Sequence, residues 1–285
     1  MNPEFEFPKG NAPTFGNTNL RPERTVQYEI GVQQQIGRLL AVHLTGYFKD
    51  IRDYMALQLV RYSTIAGEDL YNIYLNKAYA NVTGITVSFT KRRASQGFLA
   101  ATVDYTFQIA EGSDDDANRF FFNRLSGREN ELEVVPLTFD QRHVLSSTVT
   151  ISRSRSWGLS FNGQFSTGYP YSPLILDQNV DLPTRSGRKP SKLKLDVHLY
   201  KEFVLGTMRL RTFTKVFNLL DRLNENFVFD DTGRATYSLS EQRNLHATWK
   251  PMYGFPGIHS LGEYDRRPHW YSSPRQVRVG VTLSF

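Results

Sequence analysis

The chain is 285 residues long, enough for one large all-β unit or two smaller domains, with 40% hydrophobic residues and a mean hydropathy of −0.43. No run approaches the ~20 apolar residues of a membrane-spanning helix, and the absence of cysteine excludes disulfides and thiolate metal sites. The net charge of +6 is spread over turns and loops rather than gathered on a helix, which argues against a nucleic-acid partner.

Pro3, Pro8, Pro13 and Pro22 punctuate residues 1–24, which read as an irregular approach to a first strand. Beyond them the chain alternates with period two, the signature of strands. The first strand spans about Thr25–Ile36, with Val26, Tyr28, Ile30 and Val32 on one face, and Gly37-Arg38 turns it. A second strand runs from Leu40 to about Arg52, and a long connection follows over roughly Asp53–Asn76. Ile85, Val87 and Phe89 mark the third strand; Val82 is out of phase with them, which predicts a bulge near Thr83-Gly84. After the polar turn Lys91–Gln96, the fourth strand sets Leu99, Ala101, Val103, Tyr105, Phe107 and Ile109 against Thr102, Asp104, Thr106 and Gln108. A long loop, about Glu111–Thr138, carries Asp114-Asp115-Asp116 and Phe120-Phe121-Phe122. The fifth strand (Leu145, Val149, Ile151) and the sixth (Trp157, Leu159, Phe161, Phe165) are joined by the turn Arg153–Ser156. Tyr169–Pro190 is a third long loop. The seventh strand carries Leu193, Leu195, Val197, Leu199 and Phe203, and Leu205-Gly206-Thr207 leads it into the eighth, from Met208 to about Asn218. The longest loop, Leu219–Pro274, precedes the final strand, Arg275–Phe285, in which Val277, Val279, Val281, Leu283 and Phe285 all share one face.

The connections alternate short and long throughout, as in an outer-membrane barrel with tight periplasmic turns and long extracellular loops. A Greek-key sandwich mixes its connection lengths without that rhythm. The fold expected is therefore all-β: an antiparallel up-and-down transmembrane barrel, apolar face to lipid and polar face to a wet lumen. The 20 Phe, 15 Tyr and 3 Trp suit the aromatic girdles of such a wall. A soluble barrel or sandwich would invert the polarity, and the face pattern alone fits either orientation. About nine strands are expected, an odd number where complete bacterial barrels have an even one. Residues 1–6 show no signal-peptide pattern. Both features read as the C-terminal portion of a larger barrel, with residues 1–24 as approach and 25–285 as barrel wall.

Gly16-Asn17-Thr18-Asn19-Leu20-Arg21-Pro22-Glu23-Arg24-Thr25, followed by Tyr28-Glu29 and Gly31, resembles a pattern of TonB-dependent outer-membrane receptors, Gly-Asn-Pro-x-Leu-Lys/Arg-Pro-Glu-x-Thr/Ser-x-x-x-Glu-x-Gly, with Thr18 in place of the usual Pro. Asn218-Leu219-Leu220-Asp221 resembles the family's Asn-Leu-Phe-Asp segment, and Pro274-Arg275-Gln276-Val277 leads to Phe285 as the family's last strand does. The resemblance implies a barrel of about 22 strands filled by an N-terminal plug, taking up a scarce ligand (siderophore, cobalamin, glycan or peptide) with energy from the TonB complex. It also implies a chain without its plug and first strands, set among outer-membrane lipid and lipopolysaccharide in a Gram-negative cell. The terminal face of Val281, Leu283 and Phe285 would be the signal for the barrel-assembly machinery. The alternatives are a passive outer-membrane barrel and a soluble carbohydrate-binding β protein, with an esterase-like barrel behind them.

Little in the chain points to catalysis. No G-x-S-x-G, P-loop or HExxH pattern occurs, and no enzyme or cofactor is expected. His246, His259 and His269 share the last loop with Glu241, Glu263 and Asp265, but they are spread over more than twenty residues without an i, i+4 pair, so a solvated loop explains them better than a metal. Asp114–Asp116 lack the alternating oxygens and Gly of a calcium loop, and suit a solvated, lipopolysaccharide-bridging run. The candidate ligand contacts are loop aromatics able to stack on rings: Tyr169, Tyr171, Trp249, Tyr253 and Phe255, with rim packing as the simpler reading. Lys192, Lys194, Arg209 and Arg211 are expected to face the lumen, where hydration or a plug's carboxylates would meet them.

Overall fold

A computed structural model of the chain describes residues 13–64, 67–113, 134–153, 156–174, 184–240 and 267–285. The elements in order are β1 (Thr14–Phe15), β2 (Arg24–Ile36), β3 (Leu40–Thr64), β4 (Gly67–Lys91), β5 (Leu99–Ser113), β6 (Val134–Pro136), β7 (His143–Arg153), β8 (Trp157–Ser166), β9 (Pro170–Tyr171), β10 (Gly187–Arg188), β11 (Lys192–Leu205), β12 (Met208–Phe217), a 3-10 turn Pro268–Trp270, and β13 (Gln276–Ser284). Nine of these are long, and they follow one another in a single meandering sheet, β2-β3-β4-β5-β7-β8-β11-β12-β13. Among the described residues the sheet does not close: β2 and β13 each have one neighbour on this path.

The chain divides into two compact units, residues 1–28, 48–82 and 110–137 in one and 29–47, 83–109 and 138–285 in the other. In the first, β1 lies parallel to β4 with Thr14 opposite Asn72 and Phe15 opposite Ile73. The Asn17–Arg21 motif is held by side-chain clamps. Asn17 donates to Tyr74 O (2.9 Å), and Asn76 both accepts from Arg21 N (2.7 Å) and donates to Arg21 O (2.9 Å). Among the described residues its buried apolar positions are Ala56, Ala78, Ala80, Val82, Ala110, Val135 and Leu137, most of them small.

Two expectations change here. The described residues of the connection Asp53–Asn76 are strand, not loop: β3 and β4 are 25 residues each, more than twice the ~9–11 that cross a bilayer. The sequence hid this because Asp53 adopts a left-handed conformation (φ 56°). That breaks the phase of the alternation as a bulge does, and Asn76 donates to Asp53 O at 2.7 Å there. The bulge expected at Thr83-Gly84 is not seen in the burial pattern. Ala78, Ala80, Val82 and Gly84 are all buried while Thr83 and Ile85 are exposed, so alternation runs through. Val82 sits among the small residues of the buried side.

In the second unit the register separates two faces, since residues directly opposite on antiparallel strands point the same way. One row runs Ala101, Val149, Phe161, Val197, Val216, Val277, and another Leu99, Ile151, Leu159, Leu199, Thr214, Val279. On the opposite face lie Thr102, Thr148, Asn162 and Asp196, and Ala100, Thr150, Ser160, His198, Lys215 and Arg278. Hydrogen bonds lace this polar face, Thr148 to Asn162 and Thr150 with Ser160, each at 3.0 Å. Two glycines on it admit aromatic rings from the adjacent strand: a Cβ on Gly158 would lie 2.6 Å from Tyr200 Cζ, and one on Gly280 2.8 Å from Phe213 Cε1. The apolar face is open too, with Val279 at 75% and Val281 at 64% exposure. Runs of exposed apolar residues on this scale mark a surface that meets something other than water.

Candidate functional site

The site is built at the long-connection end of β7–β13, where the chain leaves β12. Asn218 and Asp221 both take left-handed conformations (φ 52° each), which short polar side chains tolerate. Asn218 Nδ2 donates to Arg222 O (3.1 Å) and Ser273 O (3.0 Å), while its backbone N–H donates to Asp196 Oδ1 (2.8 Å). Asp221 Oδ1 accepts from Arg275 N at 2.8 Å. The Asn-Leu-Leu-Asp segment therefore sutures the end of β12 to the start of β13 and to β11. Asn224 adds a two-way clamp on Leu193, accepting from its N–H (2.9 Å) and donating to its carbonyl (3.0 Å).

Beyond these clamps the segment is anchored by rings and charge. Arg267 lies over both Phe229 (4.5 Å) and Trp270 (4.6 Å), whose centroids are 4.6 Å apart. Buried Glu225 pairs with Arg234 at 2.8 Å, and burial followed by the Glu225 charge raises the Tyr271 phenol above its ordinary value, opposed by Arg234. Burial pushes the Asp231 carboxyl up, but N–H and hydroxyl donation from Ser240, the Ser238 hydroxyl and Leu239 N–H outweigh it and hold Asp231 below its ordinary 3.8. A depressed native value means that this stabilisation is complete above 3.8 and is lost as pH falls through the native value. Relative to an unstructured peptide cut in the same buffer, pepsin is therefore expected to cut the 229–240 segment faster in that acid window than at pH ~5, and Asp231→Asn should narrow that relative difference.

Under this roof two cavities abut on the polar face. One of about 350 Å³ is lined by Lys194, Phe217, Asn218, Asn224, Gln276 and Arg278, among others. The other, about 380 Å³, is lined by Gln141, Ser146, Gln164, Lys192, Lys194 and Asn226, among others. Both are of ligand-site size. The cleft is cationic. Lys194 pairs with Asp196 (2.8 Å) and Lys192 donates to Asn226 Oδ1 (2.8 Å). Lys215 and Arg278 stand directly opposite one another across β12 and β13, over the rings of Phe213 and Phe217. Neither has a carboxylate partner among the described residues, and like charges set opposite on a sheet repel. The cleft can thus take an acidic, hydroxyl-rich group. No three His, Asp or Glu among the described residues cluster as metal ligands do.

Of the loop aromatics, Tyr169 is 37% exposed and lies beneath Lys192 Nζ at 5.9 Å. Tyr171 is packed instead. It pairs with Gly187, where a Cβ would sit 2.6 Å from its ring. Burial, then Asp230 and Asp231, raise its phenol. Trp249, Tyr253 and Phe255 lie outside the described residues, as do Asp114–Asp116, Phe120–Phe122, His246, His259, Glu241, Glu263 and Asp265. Val281, Leu283 and Phe285 are exposed on the apolar side of the last strand, Phe285 at 89%. Arg211, placed on the polar face, pairs with Glu202. Sequence reasoning missed Asn224, Asn226 and Gln276; their only signal was several amides close to the strand ends.

The family model for "TonB dependent receptor-like, beta-barrel" matches residues 3–219. The chain belongs to this family. Its members are outer-membrane receptor barrels of Gram-negative bacteria rather than enzymes, which fixes the orientation left open by the face pattern: apolar rows to lipid, polar rows to the lumen. Among solved structures, the outer membrane transporter YddB from Escherichia coli is 12% identical with a TM-score of 0.54, over 75% of this chain and 31% of that one. The ferric-catecholate import receptor Fiu from E. coli K12 is 14% identical with a TM-score of 0.50, over 76% and 26%. The chain thus spans about a third or less of these proteins and shares their fold. No curated protein matches it.

Proposed function

We propose that this chain supplies barrel wall and a lumenal binding cleft to a TonB-dependent receptor that takes up a scarce ligand across the outer membrane with energy from the TonB complex. The observation that carries the proposal is the cationic cleft at the long-connection end of the lumenal face, lined by Lys192, Lys194 and Arg278 in a barrel of this family. Tyr169, with Trp249, Tyr253 and Phe255 of the last loop, would stack on the ligand's rings, and Tyr171 would hold the rim in shape. A plug, where its carboxylates reach the wall, would meet Lys192 and Arg209, because Arg211 and Lys194 already have acids of their own. Val281, Leu283 and Phe285 would present the last strand to the assembly machinery, and the long connections would face lipopolysaccharide.

Uptake by cells expressing the full-length receptor tests this reading, with labelled ferric siderophores and cobalamin as probes and strains with and without TonB. TonB-dependent uptake of one probe is expected. Uptake equal in both strains would favour a passive barrel. Lys194→Gln with Arg278→Gln is expected to weaken binding of an acidic ligand about tenfold, equivalent to ~1.4 kcal/mol, and unchanged binding would remove the cleft from the mechanism.

A further inference from the structure

The lipid-facing side carries charge at one place where the apolar rows predict none. Arg153 of β7, Trp157 of β8 and Lys201 of β11 are in register with one another. Two residues away along each strand stands the apolar row Ile151, Leu159, Leu199, on the same face. Within about 7 Å, one two-residue step of strand, the outer face thus passes from three aliphatic side chains to a tryptophan between two cations. Arg153 and Lys201 are both exposed. Neither has a carboxylate partner among the described residues; Lys201 Nζ donates only to the Ser156 hydroxyl at 3.4 Å. Glu202, next to Lys201 in sequence, alternates to the lumenal face and is taken by Arg211. At the same end Lys91 donates to Leu99 O (3.4 Å) and Arg93 to the Ser152 hydroxyl (3.0 Å), adding positive charge and no acid.

We propose that the Arg153–Trp157–Lys201 row is a binding site for the phosphate of an anionic phospholipid headgroup. The flanking residues are two inter-strand spacings apart, about 10 Å, so a headgroup can settle over Trp157 and reach both. A guanidinium offers a phosphodiester two parallel donors, the ammonium a compact charge, and the indole N–H a third donor to ester or glycerol oxygens. The acyl chains then lie along Leu159, Leu199 and Phe161. The short turns of the family's barrels face the periplasm, so the occupant is a glycerophospholipid of the inner leaflet, not lipopolysaccharide. The site rests on the membrane orientation of the sheet and is independent of the uptake reading.

Bromine on lipid acyl chains quenches nearby tryptophan, and the Trp157 contribution is the difference between the full-length receptor and its Trp157→Phe variant. In phosphatidylcholine vesicles carrying an equal fraction of either brominated phosphatidylglycerol or brominated phosphatidylcholine, the glycerol lipid is expected to quench that contribution about twice as strongly, reflecting the local enrichment that basic interfacial residues produce. Arg153→Gln with Lys201→Gln should make the two lipids equal, and each single variant should reduce the preference in part. Equal quenching in the native receptor overturns the site, as does a preference that survives the double substitution in a barrel still showing its heat-modifiable mobility.

Discussion

Val103→Arg is expected to destabilise the full-length barrel by about 2–4 kcal/mol, whereas Thr102→Arg one residue away should be mild. Val103 stands opposite Ser147 and between the rows that begin at Ala101 and Tyr105, all on the apolar side. An arginine there must strip its hydration in hydrocarbon or drag water and headgroups inward. Thr102 stands opposite Thr148, which donates to Asn162 on the lumenal face, where a long cation finds water. Denaturant titration of the receptor folded into vesicles, read by tryptophan emission and gel mobility, measures both. Similar penalties at the two positions would mean that the outer rows are buried against protein and that the orientation drawn from the family is wrong for this sheet.

The same alternation explains how much of the molecule could be read without coordinates. Strand boundaries such as Leu99, Trp157 and Met208 were legible because each follows a turn and opens a run whose every second residue is apolar. The distal halves of β3 and β4 were not, since the left-handed Asp53 shifts the phase and the alternation no longer continues in one frame. Bulges of this kind are set by a single backbone conformation that Asp can adopt but does not announce. The candidate site was half visible. Lys192 and Lys194 were placed on the lumenal face by periodicity, but Arg278 joins them only through the pairing of β12 with β13. That pairing brings together residues more than eighty positions apart, across a connection with no period to read.

The family motifs show the converse: they were recognisable as strings before their physics was. Asn17, Asn19 and Arg21 looked like punctuation at a strand start. The structure gives Asn17 and Arg21 partners on a distant strand, Tyr74 and Asn76, while Asn19 N–H donates to the Asn17 side chain, and Asn76 also closes on Asp53. Asn218 and Asp221 do the same for the last two strands. In both places an amide or carboxylate satisfies backbone groups that the sheet ladder leaves open as strands diverge, which is the requirement any irregular backbone must meet. Asn218 both braces the ends of these strands and lines the cleft.

Asp140→Ala carries the second large effect, local rather than global. The Asp140 side chain is fully buried (0% exposed) between Arg142, whose Nε donates to it at 2.9 Å, and Arg188, with which it forms an ion pair. Arg188 belongs to β10, and it also donates to Asp140 O (3.0 Å) and Gly168 O (3.4 Å). One carboxylate thus fastens the β9–β10 hairpin beside the strand start at His143. Removing it takes the shared carboxylate away from both guanidinium groups, a loss of about 3–5 kcal/mol in a fully buried pair. Because the arginine side chains remain 28% and 32% exposed, water relieves part of this, and ~3 kcal/mol is the expected value. Asp140→Asn keeps the shape and one acceptor oxygen, so it should cost less, about 1.5 kcal/mol for a weakened charged hydrogen bond. The loss should appear as opening of the 167–191 connection, seen as rapid proteolytic nicking there while the strands stay protected, since connections open before core strands do. With Tyr169 and Lys192 displaced by that opening, ligand binding should weaken in parallel with nicking across the Ala and Asn variants. If Asp140→Ala is nicked no faster than the native receptor, the buried carboxylate is not what holds the rim of the cleft.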